Sequence, residues 1–174
     1  MSFKAEVKAS VGWNWNQGAV DNSRLDYAQR LLDGNGDNQA EAVWHAENQT
    51  LLDAAATTLD LTALTRTILG DVHTVTFLTV KTLLIVNQGT SGGQLLVGGA
   101  ASDEWSEPFG ADGDQVTVPL DSPLLLANRQ AGWNVDDANK NLKLAASGGD
   151  VTYSIAIVGT TTAAGSGSGS GSGA

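Results

Sequence analysis

Gly89-Thr90-Ser91-Gly92-Gly93 sets a serine among glycines in the G-x-S-x-G spacing of a nucleophile elbow. In that device a strand turns sharply into a helix, and the turn lifts the serine Oγ over an oxyanion hole. Here the pentapeptide runs into Gln94-Leu95-Leu96-Val97, which reads as a strand, and only His45 and His73 could act as base. The segment is expected to be a hairpin loop. A hydrolase built on Ser91 therefore ranks last among the functional readings.

Asp33-x-Asn35-x-Asp37 repeats the opening of a calcium loop. An EF-hand also needs Gly at its sixth position and Glu at its twelfth, where this chain has Asn38 and Trp44. A looser oxygen site of Asp33, Asn35, Asp37 and Glu41 stays open, but Asx residues form such turns without metal, and a plain turn is expected. Asp112-Gly113-Asp114 is a weaker case of the same kind. The two histidines are too few and too far apart for a metal triad, and the absence of cysteine excludes thiolate zinc, a thiol nucleophile and disulfides. No metal or cofactor is expected. Asn48-Gln49-Thr50 is a glycosylation sequon that has meaning only in a secreted chain.

Five tryptophans raise a carbohydrate-binding reading, since aromatic faces stack on sugar rings. Trp13 and Trp15 share one strand face, and Trp105 and Trp133 sit in Gly- and Asp-rich connections. Tryptophans of β-rich domains serve more often as core or interface anchors, so sugar binding is the second reading.

The elements that would hold these groups are strands. From Phe3 to Trp15 the odd positions are Phe3, Ala5, Val7, Ala9, Val11, Trp13 and Trp15, and the even positions between them are polar or Gly. Such alternation makes a strand with one dry and one wet face. At ~3.3 Å per residue it reaches roughly 40 Å, against ~5–6 residues for an ordinary strand. A strand that long can outrun its own domain, and its apolar face must then lie on something else. Phe3, Val7, Val11, Trp13 and Trp15 are the candidate assembly interface.

Downstream, Gln17–Asn22 reads as a turn. Ser23–Asp33 fits either a helix, with Leu25, Ala28, Leu31 and Leu32 on one face and Ser23 as N-cap, or a strand with Leu25, Tyr27 and Leu31 against Arg24, Asp26 and Arg30, and its β-rich neighbours favour the strand. Asp33–Asn38 is a turn, Glu41–His45 and Leu59–Leu61 are strands, and Leu64–Leu69 reads as one helical turn. Val75–Val86 is mostly apolar on both alternating faces, the mark of a strand covered on both sides or of one that bends between two sheets. Short strands follow at Gln94–Val97, Val116–Val118, Leu124–Ala127, Leu142–Ala146 and Val151–Val158, with Ser147–Asp150 a hairpin signal between the last two. The expected fold is all-β: an antiparallel β-sandwich or jelly roll with a long N-terminal strand and few helical turns.

The 174 residues suit a single domain over 1–162. Residues 163–174, in which Gly165–Ala174 is a strict Gly-Ser alternation closed by Ala, read as an added flexible linker for a tag or fusion. Nine Lys and Arg against nineteen Asp and Glu give a net charge of −10, which repels nucleic acid and anionic membranes. The N-terminus lacks the apolar core of a signal peptide, and no apolar run is long enough to span a membrane.

The order of segments has a likeness of its own. Trp13-Asn14-Trp15 leads to Ala42-Val43-Trp44-His45, then to Leu78 through Asn87, Leu95-Leu96-Val97-Gly98-Gly99 and Trp105-Ser106-Glu107-Pro108-Phe109-Gly110. Asn139 through Leu144 and Val151 through Ile157 close it. This resembles the small β-rich structural proteins of tailed bacteriophages, such as head-decoration, fibre and tail accessory proteins. The resemblance implies a jelly-roll or sandwich protein without catalysis, located in the virion, that assembles with itself and with other virion proteins. No site residue carries over from it.

Overall fold

A computed structural model of the chain describes residues 3–16, 20–89 and 92–162. The alternation near the N-terminus makes two strands, β1 (Ala5–Asn16) and β2 (Val20–Asp33), paired antiparallel without a break from Ala5↔Leu31 to Asn16↔Val20. Of the expected turn Gln17–Asn22, Val20–Asn22 belong instead to β2, and residues 17–19 lie outside the described residues. Residues opposite each other in such a pair share a face. One face therefore carries Ala5, Val7, Ala9, Val11 and Trp13 with Leu31, Tyr27 and Leu25, and the other Glu6, Lys8 and Ser10 with Arg30, Asp26 and Arg24. A tight loop at 34–38 returns the chain to β3 (Gln39–Ala40), which runs parallel to the end of β2.

The rest of the described chain forms β4 (Ala42–Leu51), β5 (Ala56–Asp60), β6 (Leu64–Ile68), β7 (Asp71–Val75), β8 (Thr79–Asn87), β9 (Gln94–Gly98), β10 (Gln115–Val118), β11 (Ser122–Ala127), β12 (Trp133–Asn134), β13 (Asn141–Ser147) and β14 (Val151–Thr160). Two antiparallel sheets result. One has the order β10-β9-β13-β5, and the other β11-β8-β14-β4 with β12 paired to β8. Across them the strands pair first with last: β4 with β14, β5 with β13, β8 with β11, β9 with β10. Inward residues from both sheets, including Leu83, Ile85, Ile155 and Ile157 facing Leu95, Val97, Leu142 and Leu144, make one core. The domain is a β-sandwich, and no helix occurs among the described residues.

Four expectations change. Leu64–Ile68 is a strand paired with β7, not a helical turn. Its Thr65 and Thr67 suit a pleated strand, and Leu69 and Gly70, at φ 52° and 96°, close a two-residue hairpin turn of the kind that needs positive φ twice. Ser147–Asp150 is no hairpin, because β13 and β14 lie in different sheets. The glycines there serve a corner: the Gly149 N–H donates to Asp53 Oδ1, and a Cβ on Gly93 would meet the Gly149 carbonyl. The loop after β8 likewise crosses between the sheets to β9 and joins no hairpin. The apolar run from Val75 is interrupted at residues 76–78, so that Phe77 turns into the core before β8 begins.

Candidate functional site

The apolar face of the β1–β2 hairpin divides into two parts. At its base Val7 and Leu31 are buried with Ala40, and Phe3, Ala5, Leu125 and Val158 pack around them. Leu125 lies on β11 and Val158 on β14, so the base rests on the outer surface of the β11-β8-β14-β4 sheet, outside the sandwich and not between its sheets. Further out the same face emerges into solvent. Exposure is 4% at Val7, 66% at Val11 and 42% at Trp13, with 71% at Leu25 and 45% at Tyr27 on the partner strand. The hairpin is an arm whose apolar face is covered at the base and open from Val11 outward.

Its wet face supplies its own partners. The Ser10 hydroxyl donates to Asp26 Oδ1 at 2.6 Å, and Arg24 Nε contacts Asp26 Oδ2 at 2.6 Å. Lys8 pairs with Glu6 at 2.7 Å along the strand. These exposed pairs add little stability singly, but they mark this face as the one turned to water.

Polar contacts fix the arm's direction at its root. Arg129 donates from Nη2 to the Arg30 carbonyl at 2.9 Å, and the Asn38 N–H donates to the Arg129 carbonyl at 2.8 Å. Beneath them the buried Lys81 ammonium donates to the Gln130 carbonyl. Burial pushes the Lys81 pKa down, and the charge of Asp37 opposes that shift. After β3, Glu41 Oε1 accepts the N–H and hydroxyl of Thr162 at 2.7 and 2.6 Å and those of Thr161 at 3.0 and 3.1 Å. Burial raises the Glu41 pKa, but these bonds outweigh it and hold the carboxyl below its ordinary value.

The surface on which the arm rests is unusual for a sandwich, whose outward residues are normally polar. Register places Val43, Val158, Thr82 and Ala127 in one outward row and His45, Ala156, Leu84 and Leu125 in the next. Ser154, Val86 and Pro123 make a third. The arm's base covers one part of this apolar surface. Beside it an open groove of about 430 Å³ is lined by Val43, Leu84, Val86 and Ala156 together with the polar His45, Glu47, Asn48, Gln88 and Ser154.

Of the expected interface residues, Val7 and Phe3 are used within the chain, Val11 and Trp13 are exposed on the same face, and the Trp15 side chain lies outside the described residues. Leu25, Tyr27 and Leu31 belong with them through the register of β2, which the alternation in Ser23–Asp33 already signalled. The groove residues were not foreseen. Their signal was the second apolar face of Val75–Val86, which required a cover outside the core.

The remaining candidates from the sequence are dispersed over the fold. Ser91 and Thr90 lie outside the described residues, and the element after them is the strand β9. In the Asp33–Asp37 loop the Gln39 amide oxygen accepts the Gly36 N–H at 2.8 Å, and Asn35 Nδ2 donates to Thr162 Oγ1 at 3.0 Å. Asp112 accepts from Ser106 Oγ, and Asp114 from the Ala111 N–H, within their own turn. His45 sits 3.5 Å from Glu47 on the outer sheet face, whereas His73 is exposed on β7. Among the described residues no cluster of three or more His, Asp or Glu is arranged to hold a metal ion. Trp105 is buried, stacks edge-on with both Phe109 and Trp133, and donates from Nε1 to the Asn134 carbonyl. Trp44 is buried with its Nε1 on the Thr65 carbonyl. Comparison with protein-family models, with curated proteins and with solved structures returns no match.

Proposed function

We propose that this chain is a non-enzymatic structural protein that assembles with copies of itself through the tip of its N-terminal arm. In this reading it is a virion component of a tailed bacteriophage, held as a homo-oligomer or in a lattice with other virion proteins. The observation that carries the assembly reading is the arm itself: an amphipathic hairpin, rooted by polar contacts, whose apolar face is buried at the base and open at the tip. Exposed apolar surface on that scale marks interaction sites in soluble proteins.

Two further features support the reading. We read the first-with-last pairing of the sandwich strands as one antiparallel ribbon rolled up, a jelly-roll arrangement of the kind that serves viral capsid and lectin domains alike. That likeness is one of architecture and carries function only together with the site. Residues 3–33 hold four Lys and Arg (Lys4, Lys8, Arg24, Arg30) and four Asp and Glu (Glu6, Asp21, Asp26, Asp33), so the whole net charge of −10 falls on the rest of the chain. Two sandwich bodies repel each other, and the arm is the region that can approach another copy without that penalty. A carbohydrate-binding module or lectin is the second reading, but the Trp105–Trp133 cluster and Trp44 are committed to packing.

The test is a chain carrying Val11→Lys and Leu25→Lys, measured by light scattering beside the unaltered protein. The intact chain is expected to associate and the variant to fall to the monomer mass with its melting temperature kept. An intact chain that is monomeric throughout, or a variant with the same associated mass, overturns the proposal.

A further inference from the structure

Resting on that reading, we infer that the arm tip of one copy docks into the groove beside the arm base of a second copy, and that the exchange is reciprocal. The groove and the seat of the arm's own base share Leu84 and Ala156, so they are neighbouring parts of one apolar sheet face. On the first part Val7 and Leu31 already pack sheet to sheet against Leu125 and Val158. On the second, Val43 and Leu84 remain 38% and 37% exposed. Val11 and Leu25, directly opposite each other, continue the face on which Val7 and Leu31 sit diagonally, and they offer the second part apolar side chains of the kind that fill the first.

Area selects the reciprocal form. At their exposures Val11, Trp13, Leu25 and Tyr27 present roughly 400 Å², given that a large side chain buries on the order of 150–250 Å². A partner surface matched to the arm in area brings one contact to at most about 800 Å² over both partners, short of the ~1,200–2,000 Å² of a specific interface. Two arms exchanged about a two-fold axis bring the total to about 1,600 Å², within that range. The neutral arm also brings no net charge to a body that carries −10.

The experiment exploits the absence of cysteine from the chain. A protein with Val11→Cys and Val43→Cys, oxidised and resolved by mass, is expected to give a doubly linked dimer and to stop there. A ladder of higher multimers overturns reciprocity, and an internally linked monomer overturns docking between copies. Val43→Lys is measured alongside by sedimentation. It makes the body less negative, so bulk charge favours association; docking instead predicts weakening of ten-fold or more. If Val43→Lys leaves association unchanged and no link forms, while the Val11→Lys, Leu25→Lys chain dissociates, the groove is wrong and the arm reading stands. If neither variant changes association, both fall.

Discussion

In β13 of the sandwich Leu142, Leu144 and Ala146 all turn inward and all are buried. In β1 of the arm Val7 and Val11 stand on one face with the same kind of spacing, yet exposure climbs from 4% to 66% between them. Both strands obey the two-residue period; they differ in what lies opposite. The first-with-last pairing of the body lays a second sheet over β13 at about 10 Å. The arm has such a layer only as far as Leu125 and Val158 reach. Alternation thus decides which side chains share a face, and topology decides whether that face is covered. Charge follows the same division: the closed body is acidic, and the open arm is neutral.

The sharpest way to break the comparison is to strike the body where burial is complete. Trp105→Ala removes a buried ring together with its edge-on contacts to Phe109 and Trp133 and its bond to Asn134. A loss of about 3–5 kcal/mol is expected in urea unfolding. The arm's base should respond less, because its core is a small satellite of the main one. Leu31→Ala is expected to lower stability by about 2–3 kcal/mol and to speed amide exchange in residues 5–8 and 28–33 ahead of the sandwich strands.

At the root, Glu41→Gln should lower stability by about 1 kcal/mol at neutral pH, since a charged acceptor of several hydrogen bonds is lost. The folded pKa lies below the ordinary value of 4.5, so the carboxylate's contribution is fully present above that value. It disappears as pH falls through the lowered pKa. Unfolding of the two proteins at a series of pH values should therefore show their difference shrinking in acid. Smallest of all should be the effect of Val11→Lys with Leu25→Lys on the stability of the monomer, within about 0.5 kcal/mol, because neither side chain is covered in the single chain. A large loss there would mean that the tip belongs to the body after all.

The arm was legible because its signal is local: thirteen residues from Phe3 to Trp15 alternate without exception, and Ser23–Asp33 answers them. The later strands were legible for the same reason. Leu64–Ile68 misled because Leu64, Leu69 and the residues between fit a short helix as easily as a strand, and only pairing with Asp71–Val75 decides. Ser147–Asp150 misled because Gly-Gly suits a corner between sheets as well as a hairpin, and the difference lies in the distant Asp53. The groove was legible only in part: the second apolar face of Val75–Val86 marked Leu84 and Val86, whereas Val43 and Ala156 join them only through the register of three strands.

The mass of the intact chain in solution across a dilution series tests the central claim most directly. Sedimentation equilibrium should give a multiple of the 17.9 kDa chain mass, with dissociation toward one copy on dilution or on adding Val11→Lys and Leu25→Lys. A mass of 17.9 kDa at every concentration would contradict the account, because the arm tip would then stand uncovered in water.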